Sequence, residues 1–175
     1  MKTKNLVLIA LLLGIGTVLS FVLPFFFAGM KPDILLTMMF LSILLYPEKK
    51  HVLVIGLAAG ILSGIITTFP GGFVPNIIDK LITAFVALAL LTAMRKLSQP
   101  VVRAAILTAV GTIVSGTVFL TAALIIVSLP APFAALFATV VIPATILNTI
   151  LMVIIYPIIQ SILKRSNFEP FQKTV

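Results

Sequence analysis

Six apolar runs, separated only by short stretches carrying charge, proline or glycine, restrict this chain more than any other feature. They cover residues 5–23, 33–46, 51–69, 76–94, 101–128 and 133–163. Several reach the roughly 20 residues that an α-helix needs to cross about 30 Å of hydrocarbon. Of the 175 residues, 61% are hydrophobic and 9% charged, whereas a soluble domain carries about 25% charge. The runs are too long for barrel strands and lack strict alternation. They predict an all-α integral membrane protein, a six-transmembrane-helix bundle over residues 1–165 with a polar tail, 166–175. Pro24, Pro47, Pro100, Pro130 and Pro132 fall between the runs, because proline cannot donate a backbone hydrogen bond inside a helix.

The net charge of +8 is not a nucleic-acid signature here, because the basic residues form short clusters between spans, as orientation signals do. With both termini cytoplasmic, the inner side holds Lys2, Lys4, Lys49, Lys50, Arg95, Lys96, Arg103, Lys164, Arg165 and Lys173. Only Lys31 and Lys80 remain outside. That asymmetry predicts an even number of spans and a cytoplasmic tail. The opening Met1-Lys2-Thr3-Lys4 resembles a signal peptide, but the apolar run continues past Leu19 without an Ala-x-Ala-like site, so a retained first helix is expected. Cysteine is absent, which excludes disulfides and thiolate chemistry. The single histidine, His51, shares a loop with Glu48, Lys49 and Lys50 and is expected to be solvated. One histidine and four acids split between two faces offer no metal cluster and no nucleophile-base pair. No phosphate-binding loop occurs either. The chain is therefore not expected to be an enzyme, to hold a cofactor or to hydrolyse ATP itself.

The stretch Phe69-Pro-Gly-Gly-Phe-Val-Pro-Asn-Ile-Ile-Asp-Lys80 collects polar and turn-forming residues in an otherwise apolar chain, and Met30-Lys-Pro-Asp33 is expected to face it. Each outward lysine has an acid close by, Lys31 with Asp33 and Lys80 with Asp79. Asp33 lies 15 residues before Glu48, and Lys80 lies 15 before Arg95, a rise of about 22 Å. Both pairs should then sit beneath the outer surface of a layer about 30 Å thick. The same count places Asn148 about 24 Å above Lys164 and Thr117 about 21 Å above Arg103. These side chains define a polar layer, and ionisable groups at that depth usually face a cavity or a partner.

Each marked residue also has a purely structural reading. Asn76 and Asp79 have the spacing of a helix N-cap with an acid three residues on, and Pro32-Asp33 suits the start of the second helix. Asn148 can bond across to a neighbouring helix. Pro143 is expected to kink the sixth helix and free the carbonyl of Thr139. Among the phenylalanines flanking the outer turns, Phe73 is the first choice to stack on a ligand. Small residues recur at four-residue spacing: Ala10 and Gly14, and Gly16 and Ser20, in the first helix; Gly56, Gly60 and Gly64 in the third; Thr112 and Gly116 in the fifth. Such ridges let backbones approach closely. The third-helix ridge is expected to pack within the bundle, and the first helix is more open to another protein.

Together the six-run pattern, Gly29-Met-Lys-Pro-Asp33 and the 69–80 stretch resemble the bacterial tryptophan-specific substrate-binding component, or S-component, of energy-coupling-factor transporters. The resemblance extends over roughly residues 1–165, and Pro75-Asn-Ile-Ile-Asp-Lys80 is its specific part. It implies a multi-pass protein of the bacterial cell membrane that takes up tryptophan in an outward-facing cavity and depends on a transmembrane coupling subunit and two cytoplasmic ATPases. It implies docking through small residues of the first helix, where Ala10-Leu-Leu-Leu-Gly14 stands in place of the usual Ala-x-x-x-Ala. For a tryptophan zwitterion, Asp33 or Asp79 would take the ammonium and Lys31 or Lys80 the carboxylate. Phe73 would cover the indole face, and Asn76 or Asn148 would accept its N–H. Two rival readings remain at this level: an assembly subunit without its own ligand, and a self-sufficient proton-coupled amino acid carrier.

Overall fold

The computed structural model describes residues 3–22 and 33–165. Six helical segments follow in order: α1, Thr3–Val22; α2, Ile34–Leu45; α3, Lys49–Ile66; α4, Phe73–Ala93, extended by a tighter turn at Met94–Lys96; α5, Pro100–Ile126; and α6, Phe133–Arg165. Among the described residues, α1, α3, α4 with its added turn, α5 and α6 are long and apolar enough to cross a membrane. The 12 residues of α2 rise only about 18 Å, well short of a hydrocarbon layer.

That short helix is the centre of the bundle. All 12 of its residues are buried, and it packs against each of α1, α3, α4, α5 and α6. A helix apolar on every side is stable only when every side is covered. Its two hydroxyls are satisfied locally, Thr37 Oγ1 donating to the Asp33 carbonyl at 3.1 Å and Ser42 Oγ to that of Met38 at 2.8 Å.

Glycines set the closest approaches. A Cβ on Gly56 would meet that of Ala84 at 2.9 Å, and one on Gly60 would meet Cα of Ile77 at 2.9 Å. One on Gly64 would lie 2.7 Å from the Phe73 ring. The third-helix ridge thus packs inside the bundle, against α4. Gly111 likewise admits the ring of Phe40 from α2, with 2.5 Å left for a Cβ. On α1, Gly16 is pressed against Leu35 and Met38, whereas a Cβ on Gly14 would have no neighbouring atom within 4 Å.

Three expectations about local structure are corrected: the cap at Asn76 and Asp79, a solvated His51, and Thr117 in the polar layer. α4 begins at Phe73 with Gly72 as its cap residue, so Asn76 and Asp79 are not cap groups. The helix reaches back to Phe73 because Pro75 fits a first helical turn, where its missing N–H is not needed. The preceding turn closes with Gly72 N–H bonded to the Phe69 carbonyl at 2.9 Å. Pro70 and Gly71, at φ +69°, occupy the central positions that proline and glycine favour in such turns.

The kink expected at Pro143 takes the form of a widened turn. Phe137–Val141 is π-helical, and Ile142 N–H bonds to the Phe137 carbonyl five residues back. His51 is buried rather than solvated. It lies in the first turn of α3, with Nδ1 3.1 Å from the Glu48 carboxylate and its ring 5.5 Å from that of Tyr46, while Lys49 and Lys50 are exposed. Thr117 turns back to its own helix, donating to the Ile113 carbonyl at 2.8 Å. The tail 166–175 and the turn carrying Lys31 lie outside the described residues.

The bundle's outer face is apolar. Ile146, Ile150, Ile154, Ile158 and Ile162 form an exposed stripe along α6, the four-residue spacing of a helix face turned to lipid.

Candidate functional site

The site is built where α2 stops short. Asp33 caps this helix, its Oδ1 accepting from Leu36 N–H at 2.9 Å. Its other oxygen, Oδ2, receives the ammonium of Lys80 at 3.2 Å. Lys80 belongs to α4 and is 3% exposed. Its ammonium also donates to Asp79 Oδ2 at 2.8 Å and to Ser115 Oγ of α5 at 3.2 Å. Ser115 in turn donates to Asp79 Oδ2 at 2.8 Å, and Thr83 Oγ1, one turn along α4, donates to Asp79 Oδ1 at 2.9 Å. Asp79 therefore has both oxygens satisfied in a site that is 1% exposed, whereas the Asp33 side chain is 37% exposed. Two carboxyl groups share one amine, and the cluster ties α2, α4 and α5 together.

These groups line a cavity of about 370 Å³, within the range of about 300–1,000 Å³ usual for small-molecule sites. Asn148 of α6 lines the same cavity and is fully buried. Its Nδ2 reaches Thr112 Oγ1 at 3.4 Å, while its Oδ1 is buried without a hydrogen-bond partner among the described residues. A buried acceptor left unpaired costs about 1–3 kcal/mol, so this carbonyl favours any donor brought to it. Phe69 and Phe119, packed edge to face with ring centres 5.3 Å apart, form an aromatic wall. The π-helical turn supplies an aliphatic wall through Val140 and Val141. It can come this close because Gly116 has no side chain: a Cβ there would lie 2.5 Å from Val141. One cavity thus offers paired charges, an amide acceptor and flat apolar surfaces.

Of the residues singled out in the sequence, Asp33, Asn76, Asp79, Lys80 and Asn148 all line this cavity. Asp33 pairs with Lys80, and the ion pair expected between Lys31 and Asp33 falls on a residue outside those described. Asn76 spends its amide N–H₂ on the Gly72 carbonyl at 2.7 Å, tying the turn to α4. Phe73 is not among the lining residues; it is 45% exposed and lies against Gly64. Thr112 and Ser115 take up the polar position that height along the chain assigned to Thr117, and Phe119 the aromatic one assigned to Phe73 from its place in the outer turn. Their signal was present as a face: Thr112, Ser115, Gly116 and Phe119 follow the i, i+3, i+4, i+7 spacing. Ala10 and Gly14 take no part in the cavity and are both exposed on α1. Among the described residues no group of three or more His, Cys, Asp or Glu could hold a metal ion.

The geometry makes Lys80 the group on which the cluster depends. Lys80→Met strips Asp79 of its ammonium in a buried site and is expected to cost about 3–5 kcal/mol. Adding Asp79→Asn should recover most of that loss, because Thr83 and Ser115 can still bond a neutral amide. Thermal unfolding of the purified variants in detergent checks this; a parental melting temperature for the single variant would contradict it.

The family model for the tryptophan transporter TrpP matches residues 2–164 of this chain. Among curated proteins, the chain is 56% identical over 75 residues to the probable tryptophan transport protein of Bacillus subtilis, a match covering 43% of this chain and 44% of that relative. It is 44% identical over 75 residues to the protein of the same description from Clostridium acetobutylicum, again 43% and 44% of the two chains. With the Clostridium perfringens counterpart the figure is 39% over 74 residues, 42% of this chain and 41% of the relative. The chain's match spans less than half the length of each of these relatives. No solved structure matches it. With the family match running over nearly the whole chain and five helices built to cross a bilayer, this multi-pass bacterial membrane protein belongs to the TrpP tryptophan transporter family.

Proposed function

We propose that this chain is the membrane-embedded, substrate-binding subunit of a tryptophan uptake system, holding tryptophan in the cavity above α2. The observation that carries the proposal is the unpaired Oδ1 of Asn148, buried in the same 370 Å³ hollow as the Asp33-Lys80-Asp79 cluster. Tryptophan has a zwitterionic end and, a few ångströms away, an indole N–H that only donates. The cavity offers a partner for each of those two parts of the molecule. Asn148 accepts the indole N–H, the charged cluster receives the amino acid group, and the walls at Phe69, Phe119 and Val141 cover the ring faces. The family's description as a tryptophan transporter supports the same substrate.

In this reading both termini are cytoplasmic and the cavity opens outward; that orientation puts ten basic residues inside and two outside, as the positive-inside rule favours. Transport depends on a transmembrane coupling subunit and two cytoplasmic ATPases, as in the energy-coupling-factor systems the sequence resembles. The exposed Ala10-Gly14 groove on α1 is the docking surface for the coupling subunit. It is flanked by exposed Val7, Leu11, Ile15 and Val18, and Gly14 has open space before it.

The chain contains no tryptophan of its own, so bound ligand can be followed by its own fluorescence. Titration of the purified protein should give a saturable change, and labelled tryptophan should bind right-side-out but not sealed inverted vesicles. Asn148→Leu should weaken tryptophan binding about tenfold yet leave the affinity for 1-methyltryptophan, which lacks the N–H, little changed. An equal loss for both ligands would contradict the amide's role, and no response in folded parent protein would contradict the function itself.

Gly14→Leu fills the groove on α1 at a position where an added Cβ meets no atom within 4 Å. It should abolish co-purification of the coupling subunit with tryptophan titration intact. Unaltered co-purification would remove this face from consideration.

A further inference from the structure

The hydrogen bonds around Lys80 leave no donor to spare. An ammonium has three N–H groups, and those of Lys80 are spent on Asp79 at 2.8 Å, Asp33 at 3.2 Å and Ser115 at 3.2 Å. An incoming carboxylate can reach Lys80 only by taking the place of one of these. Asp79 cannot leave readily: it is 1% exposed, adjacent in the chain, and held by Thr83 and Ser115 as well. Ser115 is bonded to that same carboxylate. Asp33 is different on each count. It comes from another helix, its side chain is 37% exposed, and its other side-chain hydrogen bond among the described residues, from Leu36 N–H to Oδ1, does not involve the oxygen that faces Lys80.

Building on the tryptophan-binding reading, we propose that substrate enters by partner exchange: its carboxylate displaces Asp33 from Lys80, and the freed Asp33 takes the substrate ammonium. Asp33 is then the residue that makes the site select a zwitterion. The exchange swaps one charge-assisted hydrogen bond for another at Lys80. Asp33 gains a cation from the ligand only when the arriving molecule carries one beside its carboxylate; otherwise a third carboxylate is brought close to the two already there, and like charges repel. A ligand with a carboxylate and no amine would gather three carboxyl groups around one ammonium. A ligand with an amine and no carboxylate can pair with Asp33 without displacing anything. The structure therefore orders three indole compounds that differ only in this end: tryptophan binds most tightly, tryptamine next, indole-3-propionate most weakly. It also assigns the penalty on the acid to Asp33, so removing that charge relieves it.

The test uses the full-length purified chain and each compound's own indole fluorescence. Asp33→Asn and Asp33→Ser both retain a side chain suited to capping α2, so the fold is kept while the charge is lost; thermal unfolding confirms it. In both variants the ratio of the Kd for indole-3-propionate to that for tryptamine should fall at least about tenfold relative to the parent, the size of one charge-assisted hydrogen bond. Parent protein that binds tryptophan but holds indole-3-propionate as tightly as tryptamine would overturn the exchange. So would folded variants in which the ratio is unmoved or indole-3-propionate does not bind. Parent protein that binds no tryptophan overturns the underlying functional reading instead, which separates the two failures.

Discussion

The architecture turns on Lys80, an ammonium held between carboxylates of two helices at a depth where water is scarce. A buried ion pair is weak evidence for stability, since desolvation offsets much of the Coulombic attraction, but breaking one is expensive. This cluster is therefore better understood as a positioning device than as a source of stability. It brings the start of α2, the first turns of α4 and the middle of α5 to one point. It forms at the N-terminal end of α2, whose 12 residues rise only about 18 Å, and the cavity opens beside that end.

Close packing below and beside the cluster keeps it in register. The glycines at 56, 60 and 64 press α3 onto α4, so that α4 turns Asp79, Lys80 and Thr83 inward rather than toward lipid. In a bilayer there is little hydrophobic drive between helices, and such backbone proximity is what holds them. On the other side, the π-helical turn before Pro143 lets α6 lean over Gly116 of α5. The widened turn accommodates the proline's missing N–H and at the same time provides the cavity's aliphatic wall. Packing and site are thus produced by the same few small or irregular positions.

Much of this was legible in the order of residues, and the exceptions have physical causes. Helix number and extent follow from the length of hydrocarbon a chain must cross. Counting rise from the basic belt brought Asp33, Asp79, Lys80 and Asn148 to one layer, and all four line the cavity. Height along a helix is readable in this way, but azimuth is not. Thr117 has the right height and the wrong face, whereas Ser115, two residues earlier, points in. Phe73 sits between two prolines in sequence yet is turned outward, because a helix that starts at residue 73 directs it against α3. Long-range pairing is hidden for a related reason: nothing in the local sequence joins Asp33 to Lys80, a partner 47 residues away on another helix. His51, assigned to solvent by its charged neighbours, is buried because a helix beginning at Lys49 rotates it beneath Tyr46.

The proposed transport role and the geometry meet at one point, the hollow between Lys80 and Asn148. A structure determined with tryptophan bound tests the account most directly. It should show the indole nitrogen within hydrogen-bond distance of Asn148 Oδ1 and the α-carboxylate on Lys80, with Asp33 moved from Lys80 to the α-ammonium. Tryptophan bound elsewhere on the protein, with the Asp33-Lys80 pair intact, would contradict it.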